Sequence, residues 1–145
     1  MRILAVDPGS KRIGLAISDA TGTIANPLTV LLHNSRAADA ITIAEHAAAH
    51  EAGLIVIGYS LDDEGHPNLE GRRAKRLAEA IQIQTTIPVL LWDEAFTTQE
   101  ARSTRLQMGV SRKKRAGHLD DLAAAILLQS YLDANPPLQR RSSLP

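Results

Sequence analysis

The opening nineteen residues, MRILAVDPGSKRIGLAISD, leave the chain few ways to fold. Ile3 to Val6 is an uninterrupted apolar run closed by Pro8 and Gly9, which reads as a buried strand. A residue before proline is held extended, so Asp7 falls at the carboxyl end of that strand, where open α/β sheets keep their ligand sites. Ile13 to Ser18 alternates well enough to return as a second strand hairpinned onto the first, with Gly14 permitting close backbone approach. The turn between them is basic, carrying Lys11 and Arg12.

Three readings compete for Asp7. It can be a turn or cap aspartate, the usual role of Asp before Pro-Gly. It can belong to a phosphate-binding turn of the kind that opens the actin and Hsp70 ATPases, or it can be a metal-ligand carboxylate of a nuclease. The remaining elements bear on the choice. Thr23 to Leu32 reads as a third strand in which Pro27 argues against a central position. Ser35 caps a helix running to about Ala52, with Gly53 as its stop. Leu54 to Gly58 is a short, continuously apolar strand of the kind buried on both faces between parallel neighbours. Tyr59 to Leu69 reads as an exposed loop whose acids Asp62, Asp63 and Glu64 are a solvated turn. A helix over about Glu70 to Gln84 buries Ala74, Leu77 and Ile81 and exposes Arg72, Arg73, Lys75 and Arg76.

Pro88 to Trp92 is the fifth strand, and it again hands acids, Asp93 and Glu94, to a strand end. Thr97 or Thr98 caps a helix reaching about Met108, and Gly109 to Gly117 reads as a basic loop holding Arg112, Lys113, Lys114 and Arg115. The last helix, from about His118 to Leu132, is apolar nearly all round and therefore buried. It opens with Asp120 and Asp121, each leading an apolar stripe, and periodicity does not choose between them. The expected organisation is one domain over residues 1–134, with 135–145 as a flexible tail.

With no cysteine among 145 residues, any metal must be held by oxygen or histidine, and the five histidines are scattered singly. Neither a secretory leader nor a run of about 18 apolar residues is present, so no membrane partner and a cytoplasmic location are expected. Sixteen basic and sixteen acidic side chains cancel, so only the clustering of the basic ones suggests affinity for phosphates. Carboxylates arriving from two strand ends and the start of a buried helix describe an oxygen-only site suited to hard divalent cations. Two such ions activate water and stabilise the leaving oxygen in phosphodiester hydrolysis. The chemistry implied is metal-assisted cleavage of nucleic acid.

Four segments carry a family resemblance: DPGSKRIGLAISD, IGYSLDDEG before a basic helix, DEAFTT after the fifth strand, and LDDLAAAILLQSYL. Together, over about residues 2 to 133, they resemble the YqgF family, also called RuvX. The resemblance implies an α/β ribonuclease H-like fold akin to the resolvase RuvC, with a five-stranded mixed sheet flanked by helices and strands one to three antiparallel. It also implies a nuclease assigned to trimming the 5′ end of precursor 16S ribosomal RNA. Carried across, the family's acids fall on Asp7, on the pair Asp93-Glu94 and on Asp120, so Asp120 is preferred over Asp121. Glu94 is preferred over Asp93 because the corresponding RuvC ligand is a strand-end glutamate. The chain departs from the family at Ala95, commonly arginine, and at Asp62 to Gly65, often Asn-Met-Asp-Gly.

The expected site is therefore Asp7, Glu94 and Asp120 as catalytic metal ligands, with Asp93 and Asp121 as substitutes and Mg2+ or Mn2+, two ions, as cofactor. Lys11, Arg12, Arg72, Arg73, Arg76, Arg112, Lys113, Lys114 and Arg115 are the expected nucleic-acid contacts. The expected substrate is an RNA precursor ahead of branched DNA, acted on by a monomer or homodimer. The alternatives are a Holliday-junction resolvase, a nucleic-acid-binding protein without turnover, and an ATP-binding module like actin or Hsp70. Those ATPases duplicate the fold around the nucleotide, for which 145 residues leave no room.

Overall fold

The computed structural model describes residues 1–59, 69–94 and 112–137, the side chains of 112–121 excepted. The elements run β1 (Arg2–Pro8), β2 (Arg12–Ser18), β3 (Ala25–Leu32), α1 (Arg36–Ala49), β4 (Ala52–Tyr59), α2 (Leu69–Gln84), β5 (Val89–Asp93) and α3 (Arg112–Ala134). They build one five-stranded sheet in the order β3-β2-β1-β4-β5. The β1–β2 and β2–β3 pairs are antiparallel, whereas β4 runs parallel to both β1 and β5. No helix among the described residues is long and apolar enough to cross a membrane.

The apolar runs of β1 and β4 are explained by burial on both faces. Leu4, Val6, Ile55 and Ile57 point to the face covered by α1 and α2, where they join Ile43, Leu77 and Ile81. Ile3, Ala5, Leu54 and Val56 point the other way and meet Ala124, Leu128 and Tyr131 of α3. Alternate residues of one strand thus belong to two different cores, as the period of two requires.

Pro27 lies in the edge strand, and the β2–β3 register shifts between Leu15 and Ala16, so that Thr29 and Pro27 face consecutive residues of β2. The bulge accommodates a residue that has no N–H to donate. Ser35 caps α1 by accepting the Ala38 N–H at 3.1 Å. The helix ends at Ala49, not near Ala52, because Glu51 turns into the left-handed region (φ 54°) and its N–H closes back onto the Ala48 carbonyl at 3.1 Å. Gly53 consequently belongs to β4, where a β-carbon would run into the Met1 side chain. A second correction concerns Arg112, Lys113, Lys114 and Arg115, which are the first helical residues of α3 and no part of a loop. Lys and Arg are good helix formers, and charge that prevents packing on all sides does not prevent a helix with a wet side. The loop expected over Tyr59–Leu69 lies almost wholly outside the described residues, as does the helix expected to reach Met108.

Asp19 organises the β2–β3 turn. Its carboxylate accepts the Thr21 hydroxyl at 2.5 Å and the Thr23 and Ile24 N–H groups at 2.9 and 3.1 Å. These bonds, the Thr21 hydroxyl foremost, hold the carboxyl well below the usual carboxylate range. A carboxylate depressed in the folded state stabilises above its unfolded pKa, about 3.9, and that contribution is lost as the pH falls below it. Asp19→Ala should therefore lower resistance to urea at pH 7, and the difference from the parent should narrow at pH 3. An equal difference at both pH values would show that the ionised carboxylate is not what stabilises the turn.

Candidate active site

The site begins with the hairpin that ends β1. The Gly9 N–H donates to the Arg12 carbonyl at 2.9 Å, and a β-carbon at Gly9 would collide with that same carbonyl oxygen, so the turn is as tight as only glycine allows. Asp7 lies opposite Gly14 in the β1–β2 ladder, half-buried. It shares the parity of Ile3 and Ala5 and therefore stands on the α3 face of the sheet.

On the other flank of β1, Val6 pairs with Ile57, so Gly58 is the residue beside Asp7 as the two strands run on. Gly58 in turn partners Trp92 of β5. Glu94 follows two residues after Trp92, and its Oε1 lies 3.0 Å from the place a β-carbon on Gly58 would take. The Leu127 methyls of α3 come to 2.7 and 3.1 Å from the same point. The Glu94 carboxylate thus occupies ground that any side chain at Gly58 would claim, on the sheet face to which Asp7 belongs. Gly58 is the functional position that sequence reasoning missed. Its only signal was a glycine closing an otherwise apolar strand, which marks close approach of another group.

Asp93 pairs in register with Tyr59 and has the parity of Leu91, which packs into the α1/α2 core. Asp93 and Glu94 are accordingly directed to opposite sides of the sheet.

α3 is held on the α3 face at both edges. The Trp92 indole N–H donates to Ser130 Oγ at 2.9 Å, and its ring meets Tyr131 edge-on with centroids 5.2 Å apart. Toward the opposite edge the Gln129 amide accepts the Ala25 N–H at 2.9 Å and donates to the Thr23 carbonyl at 3.0 Å. These contacts seat Leu127 over Gly58. Asp120 and Asp121 are within α3, and position 120 is two turns before Leu127, about 10 Å along the axis. Their side chains lie outside the described residues. Among the described residues no three His, Asp or Glu side chains come together as a metal cluster; Asp7 and Glu94 are the described members of the expected set.

The basic residues divide. Lys11 and Arg12 are exposed on the β1–β2 turn, at the same end of the sheet as Asp7. Arg72, Arg73 and Arg76 are exposed on α2, whose Ala74, Leu77 and Ile81 pack on the sheet face opposite to the acids. The α2 residues therefore do not share a face with Asp7 and Glu94. Arg112, Lys113, Lys114 and Arg115 form the amino-terminal turns of α3, and their side chains lie outside the described residues.

Comparison with known proteins converges on this architecture. Two relatives are named "Putative pre-16S rRNA nuclease". One, from Syntrophus aciditrophicus, is 41% identical over 134 residues, covering 92% of this chain and 89% of its own length. The other, from Thermoanaerobacter pseudethanolicus, is 38% identical over 135 residues, covering 92% and 97%. Among solved structures, Thermus thermophilus RuvC in complex with a Holliday junction substrate superposes with a TM-score of 0.60 at 15% identity, over 94% of this chain and 97% of that one. The Fowlpox virus resolvase in complex with Holliday junction DNA superposes with a TM-score of 0.56, also at 15% identity, over 92% and 98%. At such low identity these two establish a shared fold, the ribonuclease H-like one. The family model described as "RuvX: Holliday junction resolvase" matches residues 1–134, and with relatives at this identity along nearly the whole chain, the protein belongs to the RuvX family.

Proposed function

We propose that this chain is a divalent-metal-dependent nuclease that hydrolyses phosphodiester bonds in precursor 16S ribosomal RNA, with Asp7, Glu94 and Asp120 as the carboxylates that hold the metal. The observation that carries this reading is the delivery of Asp7 and Glu94, from two strands separated by β4, to one face and one end of the sheet around the side-chain-free Gly58. The donor set fits Mg2+ or Mn2+, hard ions that prefer carboxylate oxygen. When bound, such ions lower the pKa of water and stabilise charge on the leaving oxygen.

The chain's own residues do the positioning. The bare Gly58 leaves room for the Glu94 carboxylate beside the Leu127 methyls, and the hairpin closed by Gly9 holds Asp7 at the strand end. Lys11 and Arg12 on the turn, and the four basic residues that begin α3, attract the phosphate backbone toward acids that would otherwise repel it. The RNA substrate is supported by the names of the relatives. Cleavage of branched DNA is the second reading, favoured by the family description and by the junction-bound resolvases of like fold.

The test is cleavage of a precursor 16S RNA fragment and of a four-way DNA junction with Mg2+ or Mn2+, with a chelator as control. Cleavage of RNA alone supports the first reading and cleavage of the junction alone the second. Binding without cleavage under either metal would leave a nucleic-acid-binding protein without turnover. In the same assay Asp120→Asn should remove most of the activity and Asp121→Asn little. The reverse order would move the third ligand by one residue.

Replacing Arg112, Lys113, Lys114 and Arg115 together by alanine should weaken RNA binding and flatten its salt dependence, by roughly 0.7 in slope for each phosphate no longer neutralised. Manganese binding should be unaffected. An unchanged salt slope would remove the start of α3 from the RNA path.

A further inference from the structure

A cleft of about 200 Å³ opens at the β1–β2 turn on the sheet face away from the acids. Its walls are the turn at Pro8–Ser10, His33, Arg36 and Asp39 around the start of α1, and Arg73 of α2. Asp39 is only 4% exposed, and a carboxylate is rarely buried to that degree without partners. Here it has two: Oδ2 meets His33 Nδ1 at 2.5 Å, and Oδ1 accepts the Asn34 N–H at 3.1 Å. The His33 backbone N–H donates to the Lys11 carbonyl at 2.9 Å, which ties this residue to the hairpin. A carboxylate on Nδ1 makes that nitrogen the donor and leaves Nε2 as the ring's remaining polar atom.

The charge of the cleft, among the described residues, is predominantly positive. Among the described residues Asp39 is the one acid on its walls and is engaged by His33, and neither Arg36 nor Arg73 has a carboxylate within ion-pair distance. Two guanidinium groups from different helices and an oriented imidazole line one cleft in which no described carboxylate pairs with either guanidinium. The volume lies below the roughly 300–1,000 Å³ of pockets that enclose drug-sized ligands. A tetrahedral oxyanion suits it, because guanidinium binds phosphate oxygens bidentately. The start of α1 adds its partial positive charge.

We infer that this cleft holds one phosphate group of the nucleic-acid substrate, bound by Arg36, Arg73 and the His33 imidazole that Asp39 orients. The ligand class rests on the nuclease reading proposed above, whereas the site itself is separate from the carboxylates. Pro8 directly follows Asp7, so a strand crossing the turn passes from the acids to the cleft. Arg73 thereby acquires a role despite lying on the opposite face, and the turn becomes the ridge over which the chain of phosphates bends.

The experiment uses the full chain without added metal, so that it reads binding whether or not the protein cleaves anything. Titration with inorganic phosphate, followed by NMR of the histidine ring nitrogens and arginine Nε groups, should shift His33, Arg36 and Arg73 ahead of other residues. Arg36→Gln with Arg73→Gln, both exposed positions, should abolish that response. The same pair should weaken binding of a short single-stranded RNA by roughly tenfold or more. Parallel titrations with 5′-phosphorylated and 5′-hydroxyl RNA of one sequence identify the phosphate. A preference for the former that the double variant loses assigns a terminal monoester, and equal affinities that both fall in the variant assign an internal diester. Phosphate that leaves the His33 ring unmoved, or a double variant that binds RNA like the parent, would overturn the inference. Failure of the nuclease reading would show separately, as absence of cleavage by a protein that still gives the phosphate response.

Discussion

Asp7→Asn should leave a folded protein that cleaves its substrate slower by on the order of 10²–10³ or more, the scale on which loss of one preorganised electrostatic group slows an enzyme. The substitution keeps shape and removes charge. Asp7 is half-buried on the α3 face, beside Gly58 and one strand spacing from the ground that Glu94 occupies. Two carboxylates gathered at one sheet end repel each other when no cation is bound, so thermal stability without metal should be unchanged or slightly raised. Manganese should lose its stabilising effect, because a ligand that binds only the folded state stabilises in proportion to its affinity. Full activity with an undiminished metal response would remove Asp7 from the site. Glu94→Gln should behave like Asp7→Asn, while Asp93→Asn, with the parity of the opposite face, should be mild; equal losses from the two would contradict the assignment.

Gly58→Ala is expected to damage stability and activity together, although the residue carries no chemistry. The added β-carbon would sit 2.7 Å from a Leu127 methyl and 3.0 Å from Glu94 Oε1. Leu127 can turn away, yet doing so disturbs the seat of α3, and overpacking of this kind costs about 1–3 kcal/mol. Displacing the Glu94 carboxylate by a fraction of its length should lower cleavage by roughly a hundredfold, the loss associated with about 1 Å of misplacement. The two effects separate in a double variant. Leu127→Ala removes the methyl clash, so it should cost less stability in the Gly58→Ala background than in the parent, while the crowding of the Glu94 oxygen remains and activity stays low. Residues that touch each other couple in such cycles, so strict additivity of the two substitutions would show that Gly58 and Leu127 do not compete for the same space.

Much of this architecture is legible in the order of residues alone. The run Ile3 to Val6, stopped by Pro8 and Gly9, determines a strand ending in an acid. Leu54 to Gly58 determines a strand buried on both faces, and Pro27 keeps β3 at an edge. These are statements about each residue's nearest chain neighbours and its burial, which periodicity and backbone chemistry encode locally. The choice of partners across the sheet is another matter. That Gly58 floors the space of Glu94, that Asp93 has the parity of the other face, and that the α2 arginines lie behind the acids all follow from strand order and from which helix covers which face. His33 and Asp39 show the limit most plainly. Each looks ordinary in a loop and in the first turn of a helix, and the exposed His33 meets the buried Asp39 only because the β1–β2 hairpin anchors His33 against α1. A strand's period says that alternate side chains go to opposite faces, but only the packing of segments distant in the chain decides what those faces meet.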